Sequence, residues 1–126
     1  MKKIIKTDQA PEPVGPYSQA VLHNGTLYLA GQIAIDPATG EMVHHSIEAE
    51  TDQVLTNIKH VLEAAGSSLN NVLKTTCYLA DINDFVKFNS IYEKYFSESK
   101  PARSTVQAAN LPKGARVEVD VIAFVE

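Results

Sequence analysis

The C-terminal segment of the chain alternates apolar and polar side chains in the way that a strand with one buried face does. Between residues 116 and 125 one set of alternate positions is wholly aliphatic: Val117, Val119, Val121, Ala123 and Val125. Because successive side chains of a strand point to opposite faces, this set predicts a strand whose aliphatic face packs on the core. Residues 72–80, which are β-branched and aromatic, and residues 103–109 predict two further strands.

Two longer segments repeat apolar residues at helical spacing. Residues 48–65 form one stripe, made of Ala49, Val54, Leu55, Ile58, Val61, Leu62 and Ala65. Residues 84–97 form a second, aromatic stripe, made of Phe85, Phe88, Ile91, Tyr92, Tyr95 and Phe96. Both patterns predict amphipathic helices, and the aromatic stripe is expected to be core, with its tyrosine hydroxyls at the rim. Ser46 suits the N-cap of the first helix, and Gly66 suits the left-handed residue that follows it.

Turn residues complete the order of elements. Asn24-Gly25 between two apolar runs predicts a β-hairpin, and the proline-rich residues 7–18 predict a loop. The order is therefore ββαβαββ, and an additional strand around Ile4 is compatible with it. Two right-handed crossovers place both helices on one face of the sheet. We expect one α/β (α+β) domain over residues 1–126, with a mixed sheet and two helices packed on one face.

The other face of the sheet has a mixed character. In the last strand it carries Arg116, Glu118, Asp120, Ile122 and Phe124. This face is too apolar for plain solvent and too charged for a dry core, so we expect a second subunit to cover it. The alternative is a two-layer monomer whose sheet face is partly solvated, which antiparallel sheets often tolerate.

Composition and charge narrow the class of protein. The net charge of -4 provides no broad basic surface, so nucleic acid is not an expected partner. Cys77 is the single cysteine, which excludes an internal disulfide and a dithiol redox centre and is typical of a reducing compartment. The apolar run near Ile4 is too short for a signal peptide or a membrane span, and we expect a cytoplasmic location.

Residues 103–109 and 116–125 also contain the side chains that could bind and react with a substrate. Arg103 and Thr105 share one face of their strand, which we expect to point away from the helices. The small residues of its opposite face suit the helix side: Ser104, Val106 and Ala108. If the last two strands pair as a hairpin, Thr105 lies near Glu118 or Asp120, and Arg103 lies in the same patch. Arginine can bind a carboxylate in a bidentate fashion and glutamate can orient or deprotonate a water; the alternative is an ion pair at a subunit contact.

Other chemistries have weaker support. The histidines are not spaced for a metal site, and they are His23, His44, His45 and His60. No glycine-rich phosphate loop and no G-x-S-x-G motif occurs, so nucleotide binding and serine hydrolysis are not expected. Cys77 lies mid-strand and is expected to be buried packing rather than a nucleophile.

Five short segments together resemble the RidA/YjgF family over essentially the whole chain. They are Gly15-Pro16-Tyr17-Ser18, Ala30-Gly31-Gln32, Phe88-Asn89-x-x-Tyr92, Pro101-Ala102-Arg103-Ser104 and Val117-Glu118-Val119. The resemblance implies a chorismate-mutase-like homotrimer with three pockets at subunit interfaces. It also implies hydrolysis of 2-iminopropanoate or 2-iminobutanoate to the 2-keto acid and ammonia, with no cofactor and no metal.

The resemblance implies roles for particular residues. Arg103 would hold the substrate carboxylate and Glu118 would position the water. The Gly31 and Thr105 backbones would contact the ligand, Tyr17 would help to close the pocket, and Asn89 would be a pocket neighbour. Two positions depart from the family pattern: Thr105 stands where cysteine is common and Ala30 where serine is frequent. Any role for a thiol at position 105 is therefore in doubt.

The same resemblance implies a biological role. Such imines are released by pyridoxal-phosphate dehydratases acting on serine or threonine, so the implied role is prevention of metabolite damage. A first alternative is a non-catalytic sensor that binds a keto acid in the same cleft. A second is an RNA-acting translation inhibitor, which the acidic charge balance opposes.

Overall fold

The computed structural model describes residues 1–126, and its main element is a six-stranded mixed sheet. The strands are β1 (Lys3–Ile5), β2 (Ala20–His23), β3 (Thr26–Gln32), β6 (Val72–Leu79), β7 (Ala102–Gln107) and β8 (Val117–Phe124). A separate two-stranded sheet consists of β4 (Ile35–Asp36) and β5 (Glu41–Met42). The order across the large sheet is β1-β2-β3-β8-β6-β7, and only the β6–β7 pair is parallel. The predicted order along the chain of the strands in the large sheet is confirmed, including the additional strand at Ile4, whereas the short strands β4 and β5 were not predicted.

Two helices, α1 (Ile47–Ala64) and α2 (Phe85–Phe96), pack on one face of this sheet. The core between the layers is one cluster of 22 buried residues, to which the helices contribute Leu55, Ile58 and Phe88. The aliphatic positions of β8 complete it: Val117, Val119, Val121 and Ala123. The predicted α+β arrangement is confirmed. Neither helix has the length and apolar character needed to cross a membrane.

Local signals in the sequence correspond closely to the ends of the elements. The Ser46 side chain caps α1 by accepting a hydrogen bond of 3.0 Å from the backbone N–H of Ala49. Gly66 follows α1 with φ of 80°. Asn24 and Gly25, with φ of 50° and 77°, make the predicted tight turn between β2 and β3. Ser46 acts through a side-chain hydrogen bond three residues away, and the other residues act through their own backbone conformation, so the sequence alone locates all of them.

The last two strands do not pair with each other, and the predicted hairpin is wrong. β8 lies in the sheet between β3 and β6, while β7 is an edge strand that runs parallel to β6. Thr105 pairs with Cys77, and Cys77 pairs in turn with Val119. Strand β6 therefore separates Thr105 from Glu118 and Asp120. The aliphatic β8 is more favourably placed inside the sheet, whereas the more polar β7 tolerates an edge.

The predicted orientation of Arg103 and Thr105 is also wrong. On β6 the side chains of Thr75 and Cys77 are buried on the helix side, and their partners on β7 are Arg103 and Thr105. Directly paired residues share a face of a sheet, so Arg103 and Thr105 point toward the helices. The residues of the opposite face, Ser104 and Val106, are exposed. Alternation correctly grouped these side chains, but small size was a poor guide to which group faces the core.

The loop over residues 7–18 is held by Gln19, which is 2% exposed. Its side chain accepts a hydrogen bond from Thr7 N–H at 2.7 Å and donates to the carbonyl oxygens of Thr7 and Pro11, each at 2.9 Å. A buried amide that satisfies backbone groups in this way anchors a segment that proline prevents from forming regular structure. This loop carries Tyr17 next to the sheet.

Candidate functional site

Arg103 lies against one stripe of helix α2. Its Nη1 donates a hydrogen bond of 2.7 Å to Asn89 Oδ1. Its guanidinium carbon is 5.3 Å from the ring centroid of Phe85 and 4.6 Å from that of Tyr92. Phe85, Asn89 and Tyr92 are spaced at i, i+4 and i+7, so they lie on the same side of the helix. Both rings are close enough to attract the cation.

A cavity of about 590 Å³ opens beside this guanidinium. Its lining includes Asn89, Ser97 and Lys100 together with Arg103. Because arginine has five N–H donors in a planar fork, the hydrogen bond to Asn89 leaves others that can face a ligand. A planar cation at the wall of an open cavity is well suited to a carboxylate.

Glu118 lies in a second cavity, of about 370 Å³, on the other face of the sheet. Tyr17, Gly31 and Lys113 are among the residues that line it. Between Leu29 and Gln32 strand β3 has one residue more than the facing part of β8, which is a bulge. A Cβ on Gly31 would overlap the Glu118 carboxylate and would lie 3.0 Å from its Cδ. The missing side chain at Gly31 thus leaves the room that Glu118 occupies.

Two carboxyl groups lie on this face, two residues apart on β8. Burial, and then the charge of Asp120, raise the pKa of Glu118 above its usual value. Burial also raises the pKa of Asp120, while hydrogen bonds from Tyr78 and Thr76 oppose that effect. A carboxylate with a raised pKa is a stronger base at neutral pH than an ordinary one. No three histidine, cysteine, aspartate or glutamate side chains gather closely enough to hold a metal ion.

The start of β8 is anchored from the helix layer by Glu50. This glutamate is fully buried; its Oε1 accepts the backbone N–H of Arg116 at 2.9 Å, and its Oε2 is 3.3 Å from Arg116 Nη1. A buried carboxylate requires such a partner, because the removal of Arg116 would leave the charge of Glu50 uncompensated. The contact ties the first turns of α1 to the residue that precedes β8, two positions before Glu118.

Thr105 and Cys77 face each other beneath the helices. The Cys77 thiol is buried, and burial raises its pKa to about 11, so it is protonated near neutral pH. The prediction that Cys77 is buried packing is confirmed. The Thr105 hydroxyl is buried without a hydrogen-bond partner. Its strand is an edge strand, so part of the backbone around Thr105 is not used by the sheet and can meet a ligand.

One chain therefore brings the predicted residues together in two groups rather than one. Tyr17, Gly31 and Glu118 share the cavity on the open sheet face. Arg103 and Asn89 share the cavity on the helix side. The hypothesis that Arg103 and Glu118 line a common cleft within one chain is wrong, since they lie two strands apart and on opposite faces.

Sequence reasoning missed two residues of the Arg103 environment. Phe85 and Tyr92 were expected to be core, and Tyr92 is indeed buried, yet both rings also face the guanidinium. The tyrosine hydroxyl does not reach the rim in this case but bonds to Thr75 at 2.8 Å. The i, i+4, i+7 spacing of the two aromatics around Asn89 is the signal that could have revealed the group.

Comparisons with known proteins match the whole chain. A family model described as endoribonuclease L-PSP matches residues 7–125. A RutC family protein of Pyrococcus horikoshii is 55% identical over 126 residues, which are 100% of each chain. The 2-iminobutanoate/2-iminopropanoate deaminase of Bos taurus is 51% identical over 123 residues, covering 98% of this chain and 90% of that protein. The crystal structure of RidA from an Antarctic Psychrobacter species has a TM-score of 0.93 at 45% identity, covering 98% and 99% of the two chains. The similarity thus extends over both cavities.

Proposed function

The chain belongs to the endoribonuclease L-PSP family, the RidA/YjgF family whose motifs it carries, and we propose that it is a hydrolytic deaminase of small 2-imino acids. Its substrates would be 2-iminopropanoate and 2-iminobutanoate, and its products the 2-keto acid and ammonia. The observation that carries this proposal is the full-length similarity to the bovine enzyme of that name. The two cavities supply suitable chemistry, an oriented guanidinium in one and a carboxylate of raised pKa in the other.

The complete site would form between two copies of the chain. Within one chain Arg103 and Glu118 cannot reach the same small substrate, because the sheet separates them. A second copy could bring its Glu118 cavity against the Arg103 side, since β7 is an edge strand. Large apolar side chains on the open sheet face favour such a contact, among them Tyr28 at 51% and Val106 at 47% exposed. A homotrimer would contain three such contacts, related by symmetry.

The proposed reaction needs one water and no cofactor. Arg103 would bind the substrate carboxylate, and Glu118 would accept a proton from the water as its oxygen attacks the carbon of the C=N bond. The nitrogen would take up a proton, giving a carbinolamine. The carbinolamine hydroxyl proton would then pass to the amino nitrogen, through Glu118 or solvent, as the C–N bond breaks, which releases the keto acid and ammonia. Holding the carboxylate and the water together lowers the entropic part of the barrier.

The remaining residues of the two cavities have supporting roles in this proposal. Tyr17, 55% exposed at the edge of the Glu118 cavity, would close over the substrate. The backbones of Gly31 and Thr105 would contact the ligand from the two sides. Asn89 would hold one nitrogen of Arg103, which leaves the other N–H groups for the carboxylate.

The direct test generates the imine with threonine dehydratase in the presence of semicarbazide. Added protein is expected to lower the initial rate of semicarbazone formation, because hydrolysis removes the imine and the keto acid it gives reacts with semicarbazide more slowly. The dehydratase rate, measured separately, must stay constant. Unchanged trapping would contradict the deaminase and favour a keto-acid sensor, whereas tight, salt-sensitive RNA binding would favour the activity named in the family description.

The pH dependence of kcat/KM should reflect the ionisation of Glu118. Because a general base must be ionised, kcat/KM is expected to fall as the pH drops through the pKa of this residue. Burial raises that pKa, so the fall should be centred above 4.5, the usual value for glutamic acid. The measurement is kcat/KM between about pH 4 and 8, corrected for spontaneous hydrolysis.

Asp120→Asn provides the matched control for this profile. It removes the neighbouring charge that raises the pKa of Glu118, so the acid limb should move to lower pH. An acid limb at or below the usual glutamate value would be inconsistent with Glu118 as the base.

A further inference from the structure

The guanidinium of Arg103 contacts two aromatic rings rather than one. Phe85 and Tyr92 are seven residues apart on α2, which corresponds to about 10.5 Å along the helix axis. The guanidinium carbon is 5.3 Å from one ring centroid and 4.6 Å from the other. Both rings are therefore within cation–π distance of the same guanidinium, and Asn89 is a hydrogen-bond acceptor in the same stripe.

The Tyr92 side chain is itself held in place by a hydrogen bond and by ring packing. Its hydroxyl makes a 2.8 Å hydrogen bond with the hydroxyl of Thr75, and both residues are buried, at 7% and 0% exposure. Its ring packs on Phe88 and Phe96, with centroids 5.6 Å and 4.7 Å away. Tyr92 therefore has little freedom to turn, because a rotation would leave a buried hydroxyl unsatisfied.

Thr75 connects this arrangement back to Arg103. On the sheet Thr75 is the direct partner of Arg103 across the parallel β6–β7 pair. The backbone of Arg103 and the ring that faces its guanidinium are thus held by the same residue. Arg103, Thr75 and Tyr92 therefore form a closed set of contacts: a strand pairing, a hydrogen bond and a cation–π contact.

We propose that Tyr92 is a positioning residue, which, through its bond to Thr75, holds the Arg103 guanidinium in the plane that grips a carboxylate with two N–H groups. The identity of the substrate in this inference rests on the proposed function. A long arginine side chain loses considerable freedom when it binds, and a guanidinium ordered in advance loses less. Tyr92 lines the same cavity as Arg103, and in this role its effect is expected on KM rather than on kcat.

The test removes the hydroxyl and the ring separately. Tyr92→Phe and Thr75→Val each break the same hydrogen bond, and each should raise KM about 3- to 10-fold with kcat nearly unchanged. Their combination should be no worse than either single change, because both remove one interaction. Tyr92→Leu removes the ring as well and should raise KM by about 10- to 50-fold.

A control separates positioning from stability. Leu62→Ala removes a fully buried side chain of α1 and should lower the melting temperature. It should leave KM unchanged, since Leu62 has no part in the Arg103 arrangement. A rise in KM equal to that of Tyr92→Leu would show that loss of core packing alone explains the effect, and would overturn the proposal.

A second readout does not depend on catalysis. In ¹⁵N NMR spectra, rotation of the Arg103 Nη groups should be slow in the unmodified protein and fast in Tyr92→Leu. Equal rotation in the two proteins would refute the positioning role even if activity is present.

If the unmodified protein fails to hydrolyse the imine, the proposed function fails. The dissociation constant of 2-oxobutanoate, measured by calorimetry, then takes the place of KM. An unchanged dissociation constant in Tyr92→Leu would then overturn the inference on its own.

Discussion

Co-expression of two inactive variants, Arg103→Ala and Glu118→Gln, is expected to restore about a quarter of the activity of the unmodified protein. Alone, each variant lacks one of the two groups in every site. In a mixed assembly, some sites combine the intact Arg103 side of one chain with the intact Glu118 side of its neighbour. Random association makes about one site in four complete in this way. The expectation follows from the positions of Arg103 and Glu118 on opposite faces of the sheet.

The measurement is the semicarbazide assay on co-expressed chains with different tags, after affinity capture has shown that mixed assemblies form. The matched control pairs Arg103→Ala with a chain that carries both substitutions. That pair contains no intact Arg103, so it should stay inactive. Recovery in the first mixture only would support a site shared between copies. Failure to recover in verified mixed assemblies would contradict it.

Removal of the Arg103 guanidinium is expected to lower kcat/KM more than any other single substitution. Arg103→Ala should lower kcat/KM about 200- to 20,000-fold, since each of two hydrogen bonds to a charged group contributes about 1.5–3 kcal/mol. Arg103→Lys keeps the charge but loses the bidentate geometry and the contact with Phe85 and Tyr92. It should lower kcat/KM about 10- to 30-fold, mainly through KM.

Lys94→Ala is the control for charge alone. Lys94 is an exposed cation on the same helix, but it does not line the Arg103 cavity. Its removal should leave both kcat and KM unchanged, because an exposed charge outside a cavity has a weak, screened effect. Full activity of Arg103→Ala in an intact oligomer would overturn the assignment of the carboxylate-binding residue.

Sequence patterns predicted the elements of this fold well, because those patterns act over a few residues. The Ser46 cap, the Asn24-Gly25 turn and the aliphatic face of β8 are each decided by neighbouring positions. The same is true of the stripe that contains Phe85, Asn89 and Tyr92, although its second role as the environment of Arg103 was not evident. For these features the residues that matter are adjacent in the chain.

Unlike the elements themselves, the pairing of the strands could not be predicted from sequence patterns. Both a β7–β8 hairpin and the observed order satisfy every local pattern, since each leaves an aliphatic face on the core. The choice depends on competition among all strands for neighbours, and the entropy of closing a loop changes only slowly with its length. Local sequence therefore could not decide that β8 would lie between β3 and β6.

In the candidate site, too, the residues could be predicted from the sequence but their relative positions could not. The motifs singled out Arg103, Glu118, Tyr17, Gly31 and Asn89, and their roles in catalysis stay predictions. Alternation along the chain grouped Arg103 with Thr105 and Glu118 with Asp120. It could not say that the two groups lie on opposite faces, because periodicity is a property of one strand, whereas the face of a sheet is defined by what packs against it.

The sequence by itself determined the order of helices and strands, their caps and turns, and the family. Only the tertiary structure decided that strand β6 and the sheet plane separate the guanidinium from the carboxylate, and that the rings of Phe85 and Tyr92 lie against the guanidinium. The physical reason is that backbone conformation responds to adjacent residues, while pairing and packing are settled by contacts between segments far apart in the chain.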